Sequence, residues 1–191
     1  MPSINSVDTI AVFCGSKNGT NPAFATDAIA LGHWMAQQDI RLVYGGGSAG
    51  LMGVIADAVL EKGGQVTGII PSLLLEWEVQ HRKLSELIIV EDMHQRKKEL
   101  YSRCKAALVL PGGFGTLDEL FEIITWNQLT IHDKPIFIFN SDGFYDALLL
   151  HIEQMKKEGF LYQDAIDRIQ VIRTVEELQH YLNIRPRPLF S

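Results

Sequence analysis

The chain has 191 residues, 47% of them hydrophobic and 21% charged, with a formal net charge of −6. That is length enough for one domain with a full core, and the composition is ordinary for a soluble globular protein. The acidic balance argues against nonspecific binding to nucleic acid or anionic membrane, since there is no basic excess to displace counterions, so any phosphate must be held by a local site.

The first apolar run, TIAVFCG (Thr9 to Gly15), reads as a strand. It ends in CGSKNG, where Gly15 and Ser16 can offer an N–H and a hydroxyl to an anion. Helical periodicity follows over Pro22 to Gln38, then a strand over Arg41 to Gly46. The glycines of YGGGSAGLMG fit Gly-x-Gly-x-x-Gly at Gly45, Gly47 and Gly50, ahead of a helix over Leu51 to Lys62. A dinucleotide site needs an acid at the end of the next strand, about 20 residues on. That strand, Gln65 to Pro71, ends Gly-Ile-Ile-Pro-Ser, and the next acid is Glu76. The glycines therefore admit either close backbone approach to a ligand or a plain tight turn. No Gly-x-x-x-x-Gly-Lys-Ser/Thr occurs, which excludes a P-loop enzyme.

Ser72 to Ser85 has no clear period and suits a lid or a partner-contacting segment. A strand over Glu86 to Val90 leads into a helix over Met93 to Cys104. At about 100° per residue its apolar stripe is Met93, Leu100 and Cys104, with Lys97 inside the stripe and Arg96 on its edge. Such cations either snorkel to water or bring positive charge to a site. The next strand, Ala106 to Gly113, breaks on Pro-Gly-Gly and restarts as a helix over Leu117 to Gln128. Thr116 as N-cap and Glu119 three residues on would form a capping box. The preceding PGGFG suggests backbone N–H groups aimed at a phosphate through Gly113, Gly115 and Thr116, with Glu119 deeper, at the sugar.

The remaining elements are a strand over Lys134 to Asn140, a helix over Phe144 to Glu158, a strand over Ile169 to Ile172 and a helix over Val175 to Leu182. The tail, about 184–191, is proline-punctuated and expected to fray. Each strand reads as buried on both faces, so a single domain over 1–191 is expected: a three-layer Rossmann-like α/β sandwich on a mainly parallel sheet. Glycine clusters follow strands one, two and five, and such sheets bind ligands beyond their strand C-termini. Cys14 and Cys104 are far apart without metal spacing and read as reduced thiols, and the histidines are scattered, so no metal is indicated. The N-terminus has no basic n-region or long apolar run, and nothing approaches a span of roughly 18 to 20 apolar residues, so a cytoplasmic protein is expected.

With MHQRK at Met93 to Lys97 and PGGFGTLDE at Pro111 to Glu119, the chain resembles the Lonely Guy (LOG) family of cytokinin-activating phosphoribohydrolases. CGS at Cys14, YGGGSAGLMG at Tyr44 and ITWNQLTIHDKP at Ile124 extend the resemblance from Ile10 to about Leu150. It implies a modified Rossmann fold, a homodimer and no cofactor. The implied reaction is hydrolysis of the N-glycosidic bond of nucleoside 5′-monophosphates, favouring N6-substituted adenine ribotides and often accepting AMP. By motif position Arg96 and Glu119 match the catalytic pair. Lys97, Gly113, Gly115, Thr116 and Asp118 match the nucleotide-binding segment, and Glu78 and Thr125 match further contacts. The text around Glu78, LEWEVQHRKLSEL, departs from the commoner family pattern. Gly15, Ser16, Gly46, Gly47, Met93 and Gly112 complete the candidate substrate contacts. Similar sequences often carry a lysine decarboxylase label, for which no Schiff-base lysine with a pyridinium partner can be placed. Two alternatives stay open: a broader nucleotide nucleosidase of salvage, and a non-catalytic nucleotide-binding module, which would have no use for a carboxylate at the ribose.

Overall fold

The β-branched and aromatic runs become seven strands of one sheet in the computed structural model, which describes residues 7–75, 80–161 and 169–183. In chain order the strands are β1 (Thr9–Phe13), β2 (Arg41–Tyr44), β3 (Val66–Pro71), β4 (Glu86–Val90), β5 (Ala106–Val109), β6 (Ile136–Phe139) and β7 (Ile169–Ile172). Between and after them lie α1 (Pro22–Gln37), α2 (Gly50–Glu61), α3 (Met93–Ser102), α4 (Phe114–Gln128), α5 (Asp146–Lys157) and α6 (Val175–Tyr181).

The strand order is β4-β3-β2-β1-β5-β6-β7, with every pairing parallel. From β1 the chain winds outward to β4, then returns to the other side of β1 with β5, in register Ile10 to Ala106 and Phe13 to Val109. This reversal is a topological switch point, where helices leave the sheet in opposite directions and a crevice must open.

Alternation along the strands divides the core in two. Ile10, Leu42, Leu108 and Phe137 meet Leu31, Met35 and Ile55 of α1 and α2 and Leu178 of α6. Ala11, Val43, Val109 and Ile138 meet Leu100 of α3 and Leu120 and Ile123 of α4, with Leu148 of α5 alongside. Truncating one of the fully buried leucines or isoleucines among them to alanine costs about 2–5 kcal/mol.

The expectation that every strand is buried on both faces fails at the two margins. β4 and β7 are edge strands with partly exposed residues, Ile89 being 56% accessible, because less of the helical layers covers the sheet margins. The aperiodic segment begins as a short 3-10 turn, Ser72–Leu74. It returns at Gln80, which bridges Gly47, and His81, whose N–H donates to the Gly46 carbonyl at 3.0 Å. Glu78 and the tail 184–191 lie outside the described residues.

Candidate active site

The site begins where β1 and β5 stop. Their turns run side by side: Leu110 N–H donates to the Phe13 carbonyl at 2.9 Å and Gly15 N–H to the Pro111 carbonyl at 3.0 Å. Beyond these bonds a cavity of about 230 Å³ opens toward α3. Buried Phe13 and Cys14 line its deep end, with Gly15 and Ser16 from the first turn and Gly113, Gly115 and Thr116 from the second.

The capping box expected from Thr116 and Glu119 does not form. The Gly113 carbonyl accepts Leu117 N–H at 3.1 Å, so α4 starts at Phe114, three residues earlier, with Gly113 as an N-cap that has no side-chain bond. Thr116 is instead buried in the first turn against Gly112, where a Cβ would stand 2.1 Å from Thr116 Oγ1. Gly112 is thus required by packing. Gly113 and Gly115 are different: a Cβ at either meets nothing within 4 Å, and neither has a positive φ. Bare backbone at these two positions serves the cavity, because the first N–H groups of a helix have no partner within it and suit an anion. The early start also moves Asp118 and Glu119 to the second turn, about 6 to 7.5 Å along the axis from Phe114. Phosphate and carboxylate can then occupy different depths of one cavity.

Arg96 enters from α3 and is buried, deeper than Met93, which lines the mouth and is partly exposed. The Arg96 Nη2 donates to the Gly45 carbonyl at 3.0 Å, and a Cβ at Gly45 would lie 2.2 Å from that nitrogen. The first glycine of the Gly-x-Gly-x-x-Gly pattern therefore makes room for a guanidinium. Sequence reasoning named Gly45 only as part of the glycine pattern and did not place it, Cys14, Met52 or Phe114 among the site residues, yet all four line the cavity. For Gly45 the signal was the motif itself.

Lys97 is expected at the phosphate, but it does not line the cavity. Its ammonium lies 2.8 Å from Asp118 Oδ2 and 2.8 Å from Glu122 Oε2, bridging α3 to α4. Burial works against its charge, yet the two carboxylates outweigh burial and hold its pKa above the ordinary value. One turn further on, the Tyr101 hydroxyl donates to the Glu119 carbonyl at 3.0 Å. Burial, reinforced by Glu122, Glu119 and Asp118, pushes the Tyr101 phenol upward. Burial and the Glu119 charge do the same to the Cys14 thiol, which stays protonated and is no nucleophile at neutral pH.

Of the remaining candidates, Gly46 and Gly47 sit behind the cavity, their carbonyls taken by His81 N–H and the Tyr44 hydroxyl. Thr125 is exposed further along α4, its hydroxyl returned to the Phe121 carbonyl at 2.7 Å, and it does not line the cavity.

A family model described as "Possible lysine decarboxylase" matches residues 52–182. A protein of Oryza sativa subsp. japonica, "Probable cytokinin riboside 5'-monophosphate phosphoribohydrolase LOGL1", is 46% identical over 169 residues, 88% of this chain and 76% of that one. Its counterpart LOG6 of Arabidopsis thaliana is 47% identical over 170 residues, 89% and 85% of the two chains. The chain belongs to the Lonely Guy (LOG) family.

Solved structures share the fold of this LOG chain. The molybdenum cofactor binding protein from Rippkaea orientalis superposes with a TM-score of 0.70 at 20% identity, over 93% of this chain and 96% of that one. The molybdenum cofactor carrier protein from Chlamydomonas reinhardtii gives 0.69 at 17%, over 94% and 99%. At such identities the likeness is one of fold.

The decarboxylase description does not fit the chemistry of this LOG site. A pyridoxal Schiff base needs a lysine with a neutral amine on the cavity. Among the described residues none lines it, and Lys97 beside it is held as an ammonium by two carboxylates.

Proposed function

We propose that this LOG chain hydrolyses the bond between C1′ and the base nitrogen of N6-substituted adenosine 5′-monophosphates, and of AMP, releasing free base and ribose 5-phosphate. The observation that carries the reading is that Arg96 and Glu119 line one cavity together with the uncapped start of α4. The names of the LOG relatives support the reaction type.

The 5′-phosphate takes the first-turn N–H groups of α4, where the helix dipole favours an anion. The ribose then lies against the second turn, beside Glu119. Cleavage builds oxocarbenium character on the ribose. The Glu119 carboxylate offsets that charge and accepts a proton from the water that attacks C1′. That water supplies the new C1′ oxygen, and a proton ends on the departing base. A guanidinium is a poor proton donor, so Arg96 serves by orienting the substrate and balancing charge without moving a proton. Glu119→Gln and Arg96→Ala should each slow base release from isopentenyladenosine monophosphate by about 100-fold or more, with circular dichroism unchanged. Turnover near wild type in either folded variant sinks the reading.

On this reading the active form is a homodimer in the cytoplasm. The outer face of α4 and the turn after it leave Phe114, Phe121, Leu129 and Ile131 exposed. Phe114 also lines the cavity, so a second copy seated on α4 would close its open side. Light scattering at micromolar concentration should give twice the chain mass, and Leu129→Lys should shift it to monomer. A monomeric wild type removes the dimer. Buried free thiols at Cys14 and Cys104 suit a reducing compartment.

A further inference from the structure

A second cavity, of about 310 Å³, lies across the paired turns from the first. The two share Gly15, Ser16 and Gly113 as a common wall. The second faces the start of α1 and the turn before α5. Phe24, Leu51 and Phe144 give it apolar walls, and Lys17 and Asn18 stand at its exposed rim.

Contacts on its own side hold these walls in place. Phe24 and Phe144 meet edge to face at 5.3 Å, and Phe144 meets Tyr145 at 4.8 Å. The buried Tyr145 hydroxyl donates to the Leu110 carbonyl at 2.7 Å, tying the ring set to the turn after β5. Gly19, at φ +72°, brings the loop so close to the Phe24 ring that a Cβ there would lie 2.8 Å from it. The proposed hydrolysis uses none of this, since Met93, Arg96 and Glu119 line only the first cavity.

A phosphate on the Gly113–Thr116 turn sits over the shared wall. Its ester bond to ribose runs into the first cavity. A second substituent would cross Gly113, where no Cβ stands in the way and nothing lies within 4 Å of one, and pass Lys17 at the rim toward the rings.

We propose that the second cavity is a subsite for the outer half of a pyrophosphate-linked nucleotide whose distal group carries an aromatic ring. Lys17 meets the additional phosphate by a charge-assisted bond, and Phe24 and Phe144 offer faces and edges to the distal ring. The volume lies in the range of cavities that enclose small organic ligands. The inference rests on the proposed function only for the placement of the inner phosphate.

The probe is P1,P2-di(adenosine-5′) pyrophosphate, with ADP as comparator, tested on the full chain as inhibitors of AMP hydrolysis. The dinucleotide should compete with AMP and inhibit more strongly than ADP. Phe144→Ala should raise its inhibition constant about tenfold while kcat and KM for AMP hold. Lys17→Ala should weaken both ADP and the dinucleotide. Phe144→Leu, which keeps bulk without the ring, gives the same discrimination if the alanine variant is unstable. A dinucleotide no better than ADP, or one indifferent to both Phe144 variants, overturns the subsite. Should wild type fail to hydrolyse AMP, the hydrolase reading falls separately. Calorimetric binding of the dinucleotide to wild type and to the Phe144 variants then decides the subsite by the same criterion.

Discussion

The Lys97 ammonium stands 2.8 Å from the Asp118 carboxylate, joining the residue after Arg96 on α3 to the residue before Glu119 on α4. A second bond of 2.8 Å runs to Glu122. One cation thus ties together the two helices that carry Arg96 and Glu119, and offsets part of the negative charge that Asp118 and Glu122 place around Glu119 on α4. Among the described residues, Arg96 lines the same cavity as Glu119, and Tyr101 from α3 and Cys14 from the turn after β1 lie close enough to feel its charge.

Lys97→Met leaves Asp118 and Glu122 uncompensated beside Glu119, and like charges favour the protonated carboxyl. The acid limb of the kcat profile should move to higher pH, with kcat lowered and KM for AMP little changed. Lys97→Arg should restore most of the loss. A lysine acting on the phosphate predicts the reverse, a raised KM with the acid limb unmoved. Stability should fall by about 1–2 kcal/mol, less than for a buried pair because the Asp118 side chain is 59% exposed.

The three glycines of PGGFG should separate by role. Gly115→Ala puts the best helix former into an open position and should raise stability by up to about 1 kcal/mol while weakening nucleotide binding. Gly113→Ala should cost no more than about 1 kcal/mol and raise KM for AMP, since its Cβ faces the cavity wall. Gly112→Ala strikes Thr116 and should destabilise by about 1–3 kcal/mol. Urea midpoints and steady-state kinetics on the three variants give the comparison directly.

Gly45→Ala should reproduce the kinetic defect of Arg96→Ala. The new methyl would occupy the space of Nη2 and force the guanidinium from the Gly45 carbonyl. Wild-type kcat in Gly45→Ala would show that the Arg96 position is not set there.

Stability should decline in alkali. Burial raises the pKa of Cys14, Cys104, Tyr101 and Tyr145, so the folded chain keeps protons that the unfolded chain releases from roughly pH 8.5 for thiols and 10 for phenols. The folded state then binds more protons, so this stabilisation is whole below pH 8.5 and shrinks as pH rises. The urea midpoint should fall steadily between pH 8 and 10.5, and Cys14→Ala should flatten the early part of the decline.

The alternation of elements is legible because each strand is a short β-branched run whose character is local. All seven strands and six helices expected between Thr9 and Leu182 form, with ends shifted by a few residues. What is not legible depends on contacts across the chain. T-x-x-E at Thr116 is a good local cap, but Thr116 is drawn inward against Gly112 and the helix starts before it. The helical wheel places Lys97 on the inner side of α3 correctly, yet only the docking of α4 reveals that Asp118 and Glu122 claim it. Gly45 reads as part of a nucleotide fingerprint until Arg96, 51 residues away, is seen to rest on its carbonyl. The pairing of Arg96 with Glu119 came from resemblance to the LOG family, and the structure brings both to one cavity.

The bond from Gly15 N–H to the Pro111 carbonyl couples residues from the two halves of the chain. A fragment that ends before β5 lacks both the Pro111 carbonyl that accepts from Gly15 N–H and the Leu110 N–H that donates to the Phe13 carbonyl. Parallel pairing of distant strands is slow to form, so the cavity should be among the last features a refolding chain completes. A nucleotide that touches both turns binds only chains in which that pairing exists, and adds RT ln(1 + [L]/Kd) to their stability. The substrate therefore doubles as a folding ligand, and its reappearing turnover during renaturation times the closure of the sheet at β1 and β5.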